Sequence, residues 1–188
     1  LELLTMGRYV GERVETYLSE KPISAPKGAG EASLSLFSSY LSGTGKENVG
    51  RVRLEMRDMM TRKVGVFRHE KGVSEAIQEL MAFKERAGKT SVSVRDARWN
   101  QELLERWELD NLLDNAMTMA QGALLRKESR GAHFREDYPV RSDEFQYHTL
   151  VSMTEFGKVT FGRRAIDMSL FNAKDEYSEH FKIIPRKY

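Results

Sequence analysis

Three residues with the chemistry of a hydrolase follow one another at four-residue spacing: Ser129, His133 and Asp137. On a helix this spacing places the side chains on one face, and these are the residue types of a nucleophilic triad. A working triad also needs a Ser–His hydrogen bond and a carboxylate that orients the His, usually supplied by separate loops. Gly131 interrupts the run just after a long helical pattern. The sequence therefore favours a structural helix end, with hydrolysis as the alternative.

Two glycine-rich stretches have part of the pattern of a phosphate-binding loop. Residues 28–30 (GAG) lack the third glycine of a dinucleotide fingerprint, and no strand precedes them. In residues 43–46 (GTGK), Tyr40 stands where the upstream glycine belongs and Glu47 where Ser or Thr would hold Mg²⁺. We predict ordinary loops at both places.

Metal and thiol chemistry have little support. The chain has no cysteine, which excludes disulfides, thiolate nucleophiles and iron–sulfur ligation by its own residues. The histidines are widely separated, and no pair has the close spacing typical of metal ligands: His69, His133, His148 and His180. We predict no metal site.

The strongest local signal is the charged stretch Arg126–Asp143, RKESRGAHFREDYPVRSD. It contains four arginines and one lysine interleaved with carboxylates, aromatic residues, Gly131 and Pro139. Arginine and carboxylate side chains form bidentate pairs, so this pattern predicts an ordered loop held by ion pairs. Such a loop could support a neighbouring domain or subunit.

The elements that position this loop are helical. Asn48 and Asn100 are predicted N-caps of two amphipathic helices, and a third helix follows a turn at residues 69–72 and ends near Gly88. Short connections between the three helices predict an antiparallel three-helix bundle, spectrin-repeat-like, in a mainly α fold. Alternating residues around 145–151 and 159–161 predict a small β-containing tail.

We expect four segments. Residues 1–20 form an amphipathic helix, 21–47 a linker with a short helix, 48–130 the three-helix bundle, and 131–188 the charged loop with a small C-terminal α+β tail. The chain starts mid-pattern at Leu1 without Met or a signal peptide, so we expect a fragment of a longer protein.

Composition narrows the function classes. The 188 residues are 40% hydrophobic and 31% charged, with a net charge of +2. This balance supports a core with a solvated surface, and it gives no support to nucleic-acid binding. No apolar run approaches the ~18 residues of a membrane span.

Residues 100–139 and the motifs beyond them resemble the C-terminal helical domain of succinate dehydrogenase and fumarate reductase flavoprotein subunits. The resemblance rests on ESRGAH at 128–133, Tyr-Pro at 138–139, Arg141, Asp143 and His-Thr-Leu at 148–150. Residues 49–68 resemble the family's first bundle helix, and IIPRKY at 183–188 suits its carboxy terminus.

The resemblance implies a function for a parent protein. That protein would interconvert succinate and fumarate on FAD and pass electrons to an iron–sulfur subunit and, indirectly, a membrane quinone-binding anchor. Its nucleotide-binding, flavin-linking and catalytic residues would precede Leu1, so this chain would bind no flavin and carry no catalytic residue. Residues 1–20 would be a remnant of the flavin-binding domain. The helical domain would contact the flavin-binding and capping domains in a peripheral complex on the cytoplasmic side of the inner membrane.

Two departures from the family's pattern fall in the charged stretch. Ser142 replaces the usual Asp, and the spacing from Arg141 to His148 is one residue shorter, with Phe145 and Tyr147 in place of Trp-Leu. L-aspartate oxidases share the domain but typically have Leu where this chain has Ala132, which favours the succinate/fumarate group.

The alternatives are an L-aspartate oxidase-type flavoenzyme and a free-standing helical interaction module. Our structural and interface candidates are Glu128, Ser129, Arg130, His133, Arg135, Asp137, Tyr138, Arg141, Asp143 and His148.

Overall fold

The computed structural model describes residues 2–21 and 24–169. The chain divides into two units, residues 1–38 and 39–188. Pro22 and the 183–188 motif lie outside the described residues, as does any α element of the tail beyond residue 169.

The first unit contains α1 (Glu2–Glu20) and most of α2 (Glu31–Ser42). The apolar stripe of α1 forms a helix as predicted, and none of its described side chains is buried. Gly28 and Gly30 have positive φ angles of 80° and 92° in the turn before α2, which glycine adopts without strain.

The second unit is built on three helices, α3 (Val49–Val64), α4 (Glu70–Gly88) and α5 (Gln101–Leu125). Lys63 near the end of α3 pairs with Glu75 early in α4, and Arg86 at the end of α4 pairs with Glu55 in α3. α3 and α4 are therefore antiparallel. Lys84 near the end of α4 pairs with Asp110 in the first half of α5, so this pair is antiparallel as well, and the predicted three-helix bundle in a mainly α fold is confirmed. Its core consists of inward aliphatic side chains from all three helices, including Val52, Met59, Val73, Leu80, Leu109, Leu113 and Met117.

Helix caps set the bounds of these elements. The side chains of Asn48 and Asn100 accept from the N–H groups of Arg51 and Leu103, as predicted. We predicted that α4 begins after residue 72, but it begins at Glu70, because His69 Nδ1 accepts from the N–H of Gly72 and caps the helix. Gly88 is the last helical residue, and Lys89 takes the capping position.

Short strands flank the bundle. β1 (Phe67–Arg68) pairs in parallel with β2 (Phe134–Arg135). We expected Phe67 to belong to the first bundle helix, but α3 ends at Val64 and Phe67 lies in β1. A 3₁₀ turn at Asp143–Phe145 precedes an antiparallel hairpin of β3 (Tyr147–Glu155) and β4 (Lys158–Ala165). Its turn contains Gly157 at φ 83°. The predicted small β tail is thus confirmed, although Phe145 lies in the 3₁₀ turn and not in a strand.

Buried polar contacts attach the end of α2 to the bundle. Tyr40 donates its hydroxyl hydrogen bond to Asp110 of α5, and the guanidinium of Arg106 lies 4.4 Å from the Tyr40 ring centroid. Burial and the hydrogen bond to Asp110 raise the pKa of Tyr40. No helix of the described residues has the length and apolarity needed to cross a membrane.

Candidate functional site: the charged loop after α5

The charged loop, residues 126–143, begins where α5 ends. The last carbonyls of a helix have no partner within the helix and carry its negative dipole end. Nη1 of Arg135 donates to the carbonyls of Ala123 at 2.9 Å, Leu124 at 3.2 Å and Arg126 at 3.3 Å. Arg135 is 0% exposed. It therefore caps α5 from inside the protein.

The other side of that guanidinium binds Asp137. Nε and Nη2 of Arg135 donate to the two carboxylate oxygens at 2.7 Å each. The N–H of Glu70, the first residue of α4, donates to Oδ2 of Asp137 at 2.9 Å. The hydrogen bonds from Arg135 lower the pKa of Asp137 to about 2. This pair joins the end of α5 to the start of α4.

Ser129 fixes the backbone of the loop. Its hydroxyl donates to the carbonyl of Tyr138 at 2.9 Å and accepts from the N–H of Arg135 at 2.9 Å. The side chain is 0% exposed. Its third contact, 3.3 Å from Oγ to the carbonyl of Arg135, also goes to the main chain. Its role is therefore to hold two parts of the loop together.

Glu128 and Arg130 bind the main chain at the far end of the loop. Glu128 is fully buried, and it accepts from Arg130 Nε and from the N–H of Ser142, both at 3.0 Å. Arg130 Nη2 donates to the carbonyl of Ser142 at 2.9 Å. Arg126 Nη1 lies 3.4 Å from Glu128. The two side chains thus hold both peptide groups of Ser142, and the replacement of Asp by Ser there leaves these backbone contacts available.

His133 is held as a neutral imidazole. Arg68 Nη1 donates to its Nδ1 at 2.8 Å, because a guanidinium has no acceptor. Its Nε2 then donates to the carbonyl of Arg126 at 3.2 Å. Burial lowers the pKa of His133, and the charges of Arg68, Arg135 and Arg126 lower it further. The ring therefore acts as a neutral link between β1 and the end of α5.

These contacts overturn the triad alternative. Residues 126–142 do not continue the helix, since α5 ends at Leu125. Ser129 binds main-chain groups, His133 binds Arg68 and Arg126, and Asp137 binds Arg135 and Glu70. Within the described residues, the hydrogen bonds of these three side chains do not join any two of them, so no proton relay connects them.

The remaining candidates face outward to different degrees. Tyr138 is half-buried, with its ring 5.1 Å from the guanidinium of Arg135. Arg141 and Asp143 are exposed and pair at 3.3 Å. His148 is exposed on β3 opposite Arg164 of β4. Of the ten candidates, Arg141, Asp143 and His148 are the polar side chains best placed to meet a partner.

Sequence reasoning missed Arg68 and Glu70. Arg68 lies in β1 and Glu70 is the first residue of α4. Both lie more than 60 positions before the loop residues that they bind. The parallel pairing of Phe67 with Phe134 brings them there, with the two rings edge to face at 5.7 Å. The signal available in the sequence was a local excess of basic residues, since residues 51–71 contain seven Lys or Arg and three Asp or Glu.

Neither glycine-rich stretch provides a cradle for a dinucleotide phosphate. A Cβ at Gly28 would lie 3.3 Å from the carboxylate oxygens of Glu31, which would repel an anion. Gly45 packs against the carbonyl of Lys89 so closely that a Cβ would lie 1.7 Å from that oxygen. The described residues contain no group of three or more His, Asp or Glu side chains arranged to hold a metal ion.

Comparison with known proteins places these features in a family. The sequence model of the protein family described as "Fumarate reductase flavoprotein C-term" matches residues 53–188 of this chain. The succinate dehydrogenase flavoprotein subunit of Rickettsia bellii is 35% identical over 192 residues, covering 98% of this chain and 30% of the relative. The fumarate reductase flavoprotein subunit of Helicobacter pylori (strain ATCC 700392 / 26695) is 36% identical over 147 residues, covering 76% of this chain and 21% of the relative.

The fold agrees with a solved structure of the same group. A mutant of the E. coli quinol fumarate reductase FrdA superposes with a TM-score of 0.77 at 29% identity, covering 88% of this chain and 29% of that chain. The chain thus spans about a third or less of the length of each of these relatives.

Proposed function

Because this chain belongs to the fumarate reductase flavoprotein C-terminal family, we propose that it is the helical support domain of a flavoprotein subunit that interconverts succinate and fumarate. The match over residues 53–188 carries this proposal. In this assignment the longer polypeptide supplies the flavin site and the catalytic groups. The chain described here supplies a rigid bundle and the charged loop.

The chain's own residues support a role without flavin binding. The Gly28 turn faces the Glu31 carboxylate and the Gly45 loop faces a carbonyl, so neither suits a pyrophosphate. The polar side chains of the charged loop bind one another and the main chain. In this proposal the catalytic residues and the FAD site belong to the preceding part of the polypeptide.

The charged loop would serve as the docking element. A fully buried arginine and a fully buried glutamate fix its backbone, while Arg141 and Asp143 remain exposed. Buried, hydrogen-bonded charges hold one loop geometry, and a fixed geometry lowers the cost of ordering on binding. The proposed partners are the flavin-binding and capping domains of the same polypeptide and an iron–sulfur subunit. A membrane quinone-binding anchor would be reached indirectly, in a peripheral complex on the cytoplasmic side of the inner membrane.

Ala132 bears on the L-aspartate oxidase alternative. It is exposed in the turn between Arg130 and His133, so a larger side chain there would alter a surface contact and not the core. A free-standing interaction module remains a distinct alternative, since it requires no flavin in any longer product.

The test is to express the full-length polypeptide that contains this chain and to measure dye reduction with succinate and, separately, with L-aspartate. The proposal expects bound flavin and succinate-dependent reduction, with no turnover by the 188-residue chain alone. Activity with aspartate alone would move the assignment to the oxidase. A full-length product without flavin or activity would leave the interaction module, and a tight stoichiometric yellow complex of the isolated chain would contradict the support role.

A further inference from the structure

One face of the bundle, between α3 and α5, forms an open apolar groove of about 610 Å³. Leu54, Met56 and Met60 line it from α3, and Leu112, Ala116 and Met119 line it from α5. All of its lining residues belong to these two helices. None of them belongs to the charged loop.

Several of the apolar side chains that line the groove are exposed to solvent. Leu54 is 49% exposed, Leu112 36% and Met119 60%. Elsewhere the hairpin covers the core, where Met153, Phe156 and Val159 pack against it. Clustered exposed apolar side chains of this kind mark interaction surfaces, and methionine adapts its shape to a partner.

The charge around the groove has one sign. Arg53 and Arg57 line it together with Asn115, and no carboxylate lines it. Arg53 pairs with Glu108 across the two helices at 3.3 Å. Arg57 is exposed and has no carboxylate partner within the part of the chain that the structure describes. The groove therefore presents an uncompensated positive charge beside an apolar floor.

We propose that this groove binds an amphipathic helix of a protein partner, with its apolar ridge on the methionine floor and its carboxylates against Arg57. Two helices side by side leave a groove that accepts the i, i+4, i+7 ridge of a third helix. The lining residues span nearly three helical turns of α3, about 15 Å, and about two turns of α5, roughly 10 Å. This binding does not depend on the flavoenzyme assignment.

Two synthetic peptides test the proposal against the 188-residue chain. Each has about 18 residues with leucines on one helical face, and one carries glutamates on its flanks where the other carries lysines. Calorimetry gives the affinities, and ¹³C-methyl spectra of Met60 and Met119 locate the site. We expect the acidic peptide to bind in the groove and the basic peptide to bind at least about fivefold more weakly.

Two variants and a control sharpen the test. Arg57→Glu should reverse the preference between the peptides, and its exposed position leaves the core intact. Met119→Glu should weaken acidic-peptide binding about tenfold or more, because a carboxylate would be buried against leucine. Leu104→Glu places the same charge on α5 at a residue that is 46% exposed and outside the groove, and it should leave both affinities unchanged.

Several results would overturn the proposal. Equal binding of the two peptides would indicate nonspecific apolar adsorption, and binding of neither would exclude a helix site. Self-association that Met119→Glu abolishes, measured by sedimentation, would identify a second copy of the chain as the occupant. Unchanged preference in a folded Arg57→Glu variant would exclude the assigned role of that charge.

Discussion

Asp137 accepts two hydrogen bonds of 2.7 Å from Arg135, while the remaining nitrogen of that guanidinium caps the carbonyl of Ala123 at the end of α5. One fully buried side chain therefore neutralises a helix end and holds a carboxylate that also binds the start of α4. This contact ties the geometry of the charged loop to the packing of the bundle.

Replacing Arg135 with Ala should be severely destabilising. It would leave the last carbonyls of α5 without their buried donor and Asp137 without its partner, which typically costs about 3–5 kcal/mol. Urea unfolding followed by circular dichroism measures the loss. Arg141→Ala is the matched control, because its pair with Asp143 is exposed and exposed pairs contribute about 0–1 kcal/mol. Equal losses in the two variants would contradict the capping role.

His133 should make the stability depend on pH. Its pKa in the folded chain is lowered, chiefly by burial, so the unfolded chain binds more protons. The stability that the buried, neutral His133 contributes is present in full above the ordinary pKa of about 6.5. It is lost as the pH falls through the lowered pKa of the folded chain. His133→Gln should reduce the fall in unfolding free energy below about pH 6.5. Parallel pH profiles for wild type and His133→Gln would refute this.

Substitution of Glu128 should destabilise the chain far more than substitution of Ser142, although the two residues are in contact. Glu128→Ala would remove a fully buried acceptor and leave two partly buried guanidinium groups and the N–H of Ser142 without it. We expect a loss of about 3 kcal/mol. Ser142→Ala should change stability by less than about 0.5 kcal/mol, because Glu128 and Arg130 bind its main chain. Thermal unfolding of both variants checks this, and a large effect of Ser142→Ala would mean that its hydroxyl matters.

Arg130→Ala should weaken assembly of the full-length subunit more than it changes the KM for succinate. Arg130 holds the carbonyl of Ser142 and so orients the neighbouring Arg141 and Asp143. Co-purification of the iron–sulfur subunit and steady-state kinetics separate the two effects. Arg164→Ala, on the exposed face of the hairpin, serves as the control. Intact assembly with a changed KM would contradict the docking role of the loop.

Gly45→Ala should destabilise the chain while Gly88→Ala does not. A Cβ at Gly45 would overlap the carbonyl of Lys89, at 1.7 Å, whereas a Cβ at Gly88 meets nothing within 4 Å. In a helix, Ala is favoured over Gly by about 0.5–1 kcal/mol. The unfolding midpoints of the two variants measure the contrast. Unchanged stability of Gly45→Ala would mean that the backbone segments at Gly45 and Lys89 can move apart to accept a Cβ.

Much of the fold was readable from the sequence because its signals are local. The caps at Asn48 and Asn100 act over three residues, and the apolar stripes of α3, α4 and α5 repeat within single helices. The hairpin follows from alternation on either side of Gly157. The residues 128–133 motif and its neighbours identified the family, although nothing in them specified which contacts they make.

Only the tertiary structure decided how the charged loop is built. Ser129, His133 and Asp137 share a spacing that fits one helix face, yet each binds a different part of the molecule. Their partners include Arg68 in β1 and Glu70 at the start of α4, and the parallel pairing of β1 and β2 brings both residues to the loop. Helical periodicity and capping depend on neighbours a few residues apart, so the sequence alone determined the helices. Contacts between distant segments depend on the packing of the whole bundle, so the partners of these charges emerged only from the folded chain.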